Sequence, residues 1–153
     1  MQTFLPDRSF VKSMEQLDFK RLGKQRVEAA QILEILTGKQ VLNRPMRSLS
    51  SVGVKPPAWS NHPAVKMWSG HDQWLALYLA CAIGEWCSRG YTNGIVCPTY
   101  DTDAQPRPRW WGLERFHASH RSNLIRKFPA HYQPLWPDEG PGLPYFWPTK
   151  ENY

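Results

Sequence analysis

Three observations predict an all-α fold. Apolar residues recur at helical spacing in three long segments, helix-starting and helix-stopping residues bracket those segments, and no stretch alternates apolar with polar residues convincingly enough for a half-buried strand. With 153 residues, the chain suits one domain spanning 1–153 around one sizeable core. The expected architecture is about three main helices joined by long ordered loops and closed by an aromatic C-terminal arm.

MQTFLP opens the chain as a short apolar stretch, expected to be tucked in. The first helix runs from about Phe10 or Leu17 to Leu36 and stops at Gly38, which suits a left-handed cap. Residues 39–60 form a basic Pro- and Ser-rich loop with Lys39, Arg44, Arg47 and Lys55. SNHPAVKMW opens the second helix, where Asn61 or His62 can cap and Pro63 fits the first turn. Its apolar set is Val65, Trp68, Leu75, Leu79, Ala82, Ile83 and Trp86; Gly70 is expected to break it locally and Gly90 to end it. LERFHASHRSNLIRKF supplies the third helix, stopping before Pro129. The tail PLWPDEGPGLPYFWP is too rich in Pro and Gly for regular structure and is expected to wrap the helices, anchored by Trp136, Tyr145, Phe146 and Trp147.

Hydrophobic residues make up 41% and charged residues 21%, a globular composition that excludes a disordered tail. No apolar run approaches membrane-spanning length and no charged-then-apolar leader opens the sequence, so a soluble, unexported protein is expected, cytoplasmic and nucleoid-associated. Cys81, Cys87 and Cys97 contain no CxxC pair and read as reduced thiols, neither a disulfide frame nor a zinc cluster. The net charge of +6 is unevenly placed, with the cations gathered in two separate segments. Residues 1–60 carry ten Lys/Arg against five Asp/Glu, and 105–127 carry six against one, whereas 61–100 carry two of each. Two basic segments suggest a polyanionic partner, most simply nucleic acid, although a solvated basic surface gives the same count. Eight tryptophans strengthen the first reading, because Trp59, Trp110, Trp111 and Trp147 stand among prolines or cations, where aromatic faces can stack on exposed bases. Trp68, Trp74 and Trp86 are read as core.

The first helix carries an unusual polar line. On a wheel advancing about 100° per residue, Leu22, Ala29, Leu33 and Leu36 share the core flank. Arg21, Lys24, Glu28 and Gln31 gather within about 80° on a line bordering that flank, with Ile32 and Ile35 alongside. Half-buried charges are costly unless paired, and active sites often contain them. Lys24 and Glu28 also fit an i,i+4 pair decorating a solvated helix, and these residues alone leave both readings open.

Taken in order, MQTFLP, LDFKRLGKQRVEAAQIL, NHPAVKMW, GEWCSRGY, FHASHRSNLIRK and LPYFWP resemble a branch of the pyrimidine-dimer DNA glycosylase (endonuclease V) family, over nearly the whole chain. The resemblance implies an all-α domain that removes a damaged base and then nicks the backbone. It implies an α-amine of the mature N-terminus as nucleophile and a glutamate of the first helix as acid/base. Matching DFKRLGKQRVEAAQ to the family pattern, with a one-residue insertion, places Glu28 at the glutamate position and Arg21 at a basic position one or two turns earlier. Gln25 and Gly23 are the neighbouring alternatives for that position, and neither does acid/base chemistry. Gln31 stands where the family's phage members have an arginine. Residue 2 is Gln, before which an initiator methionine is usually retained, so the expected nucleophile is the α-amine of Met1. A processed Gln2 could cyclise and lose it.

Displacing a base through an imine requires an uncharged amine. An α-amine of pKa about 7.8 is roughly a tenth free base at pH 7, whereas an ordinary lysine near about 10.4 is below about a thousandth. Lys24 competes only if burial or Arg21 strips its proton. The imine acidifies the neighbouring sugar proton, and a carboxylate in reach drives elimination of the 3′ phosphate. Glu28 is assigned this step and the stabilisation of positive charge on the sugar, while Arg21 and Lys24 hold flanking phosphates or tune Glu28. The route requires no metal and no cofactor.

The expected nucleic-acid contacts lie on several elements. They are Gln31 on the first helix, Arg44 and Arg47 in the basic loop, His62 opening the second helix, and Arg107 and Arg109 beside the Trp pair. The third helix adds a cationic face of His117, His120, Arg121, Asn123, Arg126 and Lys127, followed by Tyr132. HxxH alone is a weak metal signal, so no metal is expected. Glu85 and Arg89 read as a structural salt bridge. The expected partner is double-stranded DNA containing a damaged or modified base, bound by a monomer without membrane contact. Two other functions stay open: a non-catalytic nucleic-acid-binding accessory protein, and a monofunctional glycosylase acting on a modified base or nucleotide.

Overall fold

The first helical segment folds as two helices. The computed structural model describes residues 1–42 and 59–149, so Arg44, Arg47 and Lys55 lie outside the described residues. Helix α1 spans Phe10–Gln16 and α2 spans Phe19–Thr37, with Leu17 and Asp18 extended between them. Tertiary structure fixes this break. The Tyr132 hydroxyl accepts from the Asp18 amide at 3.0 Å and donates to Asp18 Oδ1. Burial opposes ionisation of Asp18, but Tyr132 and the Arg21 guanidinium, 3.2 Å from Oδ1, hold its carboxyl below the usual range. At its far end α2 closes as expected on Gly38, whose φ of 69° is left-handed and whose N–H donates to Glu34 O at 2.8 Å.

The second segment also divides, into α3 (Pro63–Trp68) and α4 (Asp72–Ser88), at Gly70 with φ 80°. His62 is the cap of α3, its Nδ1 accepting from the Ala64 amide at 3.1 Å. Glu85 and Arg89 form the expected ion pair at 2.8 Å near the end of α4. A 3-10 turn at Thr102–Ala104 precedes α5 (Glu114–Lys127), and a short α6 (Pro129–Tyr132) follows it. Among the described residues there is no strand, and the all-α class holds. No helix among them is long and apolar enough to cross a membrane.

Helix α2 packs on α4. The approach is close because Gly23 lies under the Trp86 ring, where a Cβ would sit 3.0 Å from Cζ3. Trp68, Trp110, Tyr78, Tyr132 and Phe116 are fully buried. Trp110 therefore belongs to the core and not to an exposed stacking surface: it meets Trp68 edge-on at 4.9 Å and donates to Met67 O at 3.0 Å. The C-terminal arm carries no helix from Asp138 to Thr149 and docks along α5. The Leu143 amide donates to Ser122 Oγ at 2.9 Å, the Phe146 amide to Ser119 Oγ at 3.1 Å, and Trp136 stacks on Tyr132.

Tyr132→Phe removes the one hydroxyl that serves both the Asp18 amide and its carboxylate, and is expected to cost roughly 1–3 kcal/mol of stability. Urea denaturation at neutral pH checks this, the expected result being a lower midpoint with an unchanged slope.

Candidate active site

Residues 2–6 are buried and non-helical, so their backbone groups have no ladder to join. Side chains from three helices serve them instead. The Gln2 amide donates to Glu28 Oε2 at 3.1 Å and the Phe4 amide to Gln25 Oε1 at 2.8 Å. Tyr78 Oη lies 2.8 Å from Phe4 O and 2.9 Å from Gln25 Oε1, its single proton shared between them. The Leu5 amide donates to His120 Nδ1 at 2.9 Å, and Leu5 O accepts from His117 Nδ1 at 2.8 Å. Gly112 donates to His117 Nε2 at 3.0 Å, which leaves the His117 proton on Nδ1. Arg121 reaches Pro6 O at 2.9 Å, and Trp68 Nε1 donates to Thr3 Oγ1 at 3.0 Å.

Where this segment meets α2, a cavity of about 340 Å³ opens. Met1, Gln2, Phe4, Gln25, Glu28 and Tyr145 line it, together with Lys20, Arg21, Lys24 and Lys127. Glu28 is buried, with Oε2 bonded to the Gln2 amide, Gln25 Nε2 3.4 Å away, and Lys24 Nζ 3.7 Å from Oε1. Burial and the chain's own α-amine push the His62 pKa down, while Glu28 pulls it the other way. Terminus, carboxylate and imidazole thus share one electrostatic neighbourhood. Burial pushes the Tyr145 hydroxyl up to about 12, with Arg126 opposing and Glu28 adding to the rise. Trp147 of the arm meets the His62 ring at 5.7 Å and Tyr145 at 5.6 Å, so the arm reaches the same place. Among the described residues, no group of three His, Cys, Asp or Glu is placed to hold a metal ion.

The family model for pyrimidine dimer DNA glycosylases matches residues 1–98. The chain belongs to that family. No curated protein and no solved structure matches it. The matched stretch of this DNA glycosylase family member contains the buried N-terminal segment and α1 to α4, and with them Met1, Gln25, Glu28 and His62. Helix α5 and the arm lie beyond it.

Of the residues singled out in the sequence, Met1, Arg21, Lys24, Glu28 and Lys127 come together at the cavity. Gln31 is half-buried on α2 and is not part of the lining. Arg107 and Arg109 are exposed, and the Arg107 guanidinium lies 4.2 Å over the Trp111 ring. The cationic face expected on the third helix is largely turned inward. His117 and His120 are buried on Leu5, and Arg121 is held by Glu114, Glu139 and Pro6 O. Asn123 is buried, with Nδ2 on Ser119 O at 2.7 Å and Leu143 O at 3.2 Å, while Tyr132 is buried on Asp18. Arg126 binds Pro141 O at 3.0 Å and the Asn123 side chain. The physical reason is the position of α5, between the buried N-terminal segment and the docked arm, whose backbones both need partners. Sequence reasoning assigned no role to Lys20 or Tyr145 at this cavity and weighed Gln25 only as an alternative for the position of Glu28. Gln25 left a signal: an amide on the core flank of the first helix is out of place unless it has buried partners.

Burial, with help from His117 and Arg121, pushes the His120 pKa from 6.5 to about 3. Between those values the unfolded chain binds a proton that the folded chain refuses, so this contribution to stability is present above pH 6.5 and is lost as pH falls toward 3. Urea midpoints measured from pH 7 to pH 4 are therefore expected to fall, and His120→Asn, which keeps an acceptor for the Leu5 amide, to fall less steeply.

Proposed function

We propose that this protein is a DNA glycosylase with AP-lyase activity, acting on a damaged pyrimidine in duplex DNA, with the Met1 α-amine as nucleophile and Glu28 as acid/base. One observation carries the reading. A buried carboxylate binds the backbone one residue from the α-amine, in a cavity that both residues line, with cations around it. In this scheme the amine attacks C1′ of the nucleotide and the C1′–N bond to the base breaks, the base leaving with a proton. The amine loses a proton as the sugar ring opens to the imine. Glu28 then removes a C2′ proton, the C2′–C3′ double bond forms, and the 3′ phosphate departs. Arg21, Lys20, Lys24 and Lys127 suit the flanking phosphates. Lys24 is a poorer nucleophile candidate, because its side chain is 70% exposed, at the solvent side of the cavity.

A second reading of the nucleophile is favoured by the same hydrogen bond. If Met1 is removed, the nitrogen 3.1 Å from Glu28 becomes the α-amine of Gln2. Incubation with abasic-site duplex and borohydride is expected to trap a covalent adduct, and peptide mapping assigns it to Met1 or to Gln2. Glu28→Gln is expected to lower strand cleavage at least about a hundredfold while leaving DNA binding in place. Binding without any adduct or cleavage in the wild type would replace this reading with that of a non-catalytic DNA-binding protein.

A further inference from the structure

The four cations lining the cavity differ in how firmly they are held. Lys20, Lys24 and Lys127 are exposed, and Lys24 Nζ stands 3.7 Å from Glu28, beyond hydrogen-bond distance. The Arg21 side chain is only 24% exposed, and its Nη1 donates to Asp18 Oδ1 at 3.2 Å. Asp18 stands at the cap position of α2, where an aspartate ordinarily accepts from amides of the first turn. Its carboxylate makes no such capping bond and faces the Arg21 side chain and the Tyr132 hydroxyl instead. Burial opposes its charge, which Tyr132, the Arg21 guanidinium and, more weakly, the Arg21 amide sustain. Tyr132 is fully buried and stacked on Trp136, with ring centroids 5.5 Å apart. A chain of support thus runs from the core to the cavity through Trp136, Tyr132, Asp18 and Arg21.

The guanidinium has donors to spare. Among the described residues its one hydrogen bond goes to Asp18, and the planar fork offers further N–H groups in fixed directions. Arg21 and Glu28 also act on one neighbour. Burial pushes the Tyr145 hydroxyl up to about 12, with Arg126 and Arg21 opposing the rise and Glu28 adding to it. A fixed cation beside the proposed base stabilises most where charge grows during the reaction. In the elimination that place is the 3′ phosphate. Glu28 takes the C2′ proton, the C2′–C3′ double bond forms, and the C3′–O electron pair leaves with the phosphate, which departs with one more negative charge.

We infer that Asp18 is a positioning residue, held by Tyr132, that fixes the Arg21 guanidinium on the departing 3′ phosphate. This rests on the AP-lyase reading above. A side chain already fixed has little rotamer freedom left to lose as the phosphate charge develops, unlike an exposed lysine. The support comes from α6, beyond the stretch that the family model matches, and acts on α2 within it.

The test separates two steps on an abasic-site duplex with protein in excess: the rate at which borohydride traps the imine, and the rate of strand cleavage. Asp18→Asn keeps an oxygen for the Tyr132 hydroxyl and removes the charge that holds Arg21. It is expected to slow strand cleavage about tenfold while imine trapping stays within about twofold of the wild type. Arg21→Met is expected to lose at least as much, and the combined variant to be no slower than Arg21→Met alone, because Asp18 acts through Arg21. Urea midpoints establish that each variant folds. If Asp18→Asn does not, Tyr132→Phe, which leaves Asp18 without its anchor, is expected to show the same selective loss. Equal slowing of both steps overturns the inference. So does unchanged cleavage in Asp18→Asn, or a combined variant that multiplies the two separate losses. A wild-type protein that forms no adduct and cuts no strand is a different failure: it removes the AP-lyase reading, and the inference with it.

Discussion

Burial of a non-helical chain segment inside a helical protein is the constraint on which the rest of this structure depends. Gln2 to Pro6 lie in the core with no adjacent strand, yet each peptide unit still needs its hydrogen bonds. Glu28 and Gln25 of α2, Tyr78 of α4, and His117, His120 and Arg121 of α5 supply them. These are polar side chains on helix faces that would otherwise be apolar, and each binds one backbone group of the segment. The segment therefore joins α2, α4 and α5 through hydrogen bonds to its backbone.

This arrangement also explains how a carboxylate comes to be buried beside a chain terminus. Glu28 is held by a backbone amide and an exposed lysine, so its burial is compensated without a buried cation. Gln25, one helical turn earlier, binds Phe4 with its oxygen and turns its nitrogen toward Glu28. The same pair of side chains thus anchors the segment and presents the carboxylate to the cavity. Exposed lysines lie at the outer side of the cavity, and the buried Glu28 carboxylate lies inside with the rings of Phe4 and Tyr145.

The family match ends at residue 98, but the cavity does not. Tyr145 and Lys127 line it from beyond the matched stretch, and Trp147 packs on His62. The arm can do this because Ser119, Ser122 and Asn123 of α5 bind its backbone and fix its path. Proline and glycine keep the arm from forming a helix, and its aromatic side chains attach it to the core.

The sequence by itself determined the helical class, the stop at Gly38, the break at Gly70 and the burial of the first residues, and it narrowed the cap of the second segment to Asn61 or His62. Each follows from local chemistry: helical spacing of apolar groups, a left-handed glycine, a capping side chain. It also set Arg21, Lys24, Glu28 and Gln31 on a line bordering a core flank, and the family resemblance singled out Glu28 among them. Tertiary structure decided the rest. The break at Leu17–Asp18 depends on a hydroxyl 114 residues away, which no local pattern encodes. His117, His120 and Asn123 read as a cationic, DNA-facing helix because a wheel gives relative directions but not what lies on each side. The backbones of the N-terminal segment and the arm occupy those sides, and an unpaired buried peptide group outcompetes solvent for a nearby polar side chain.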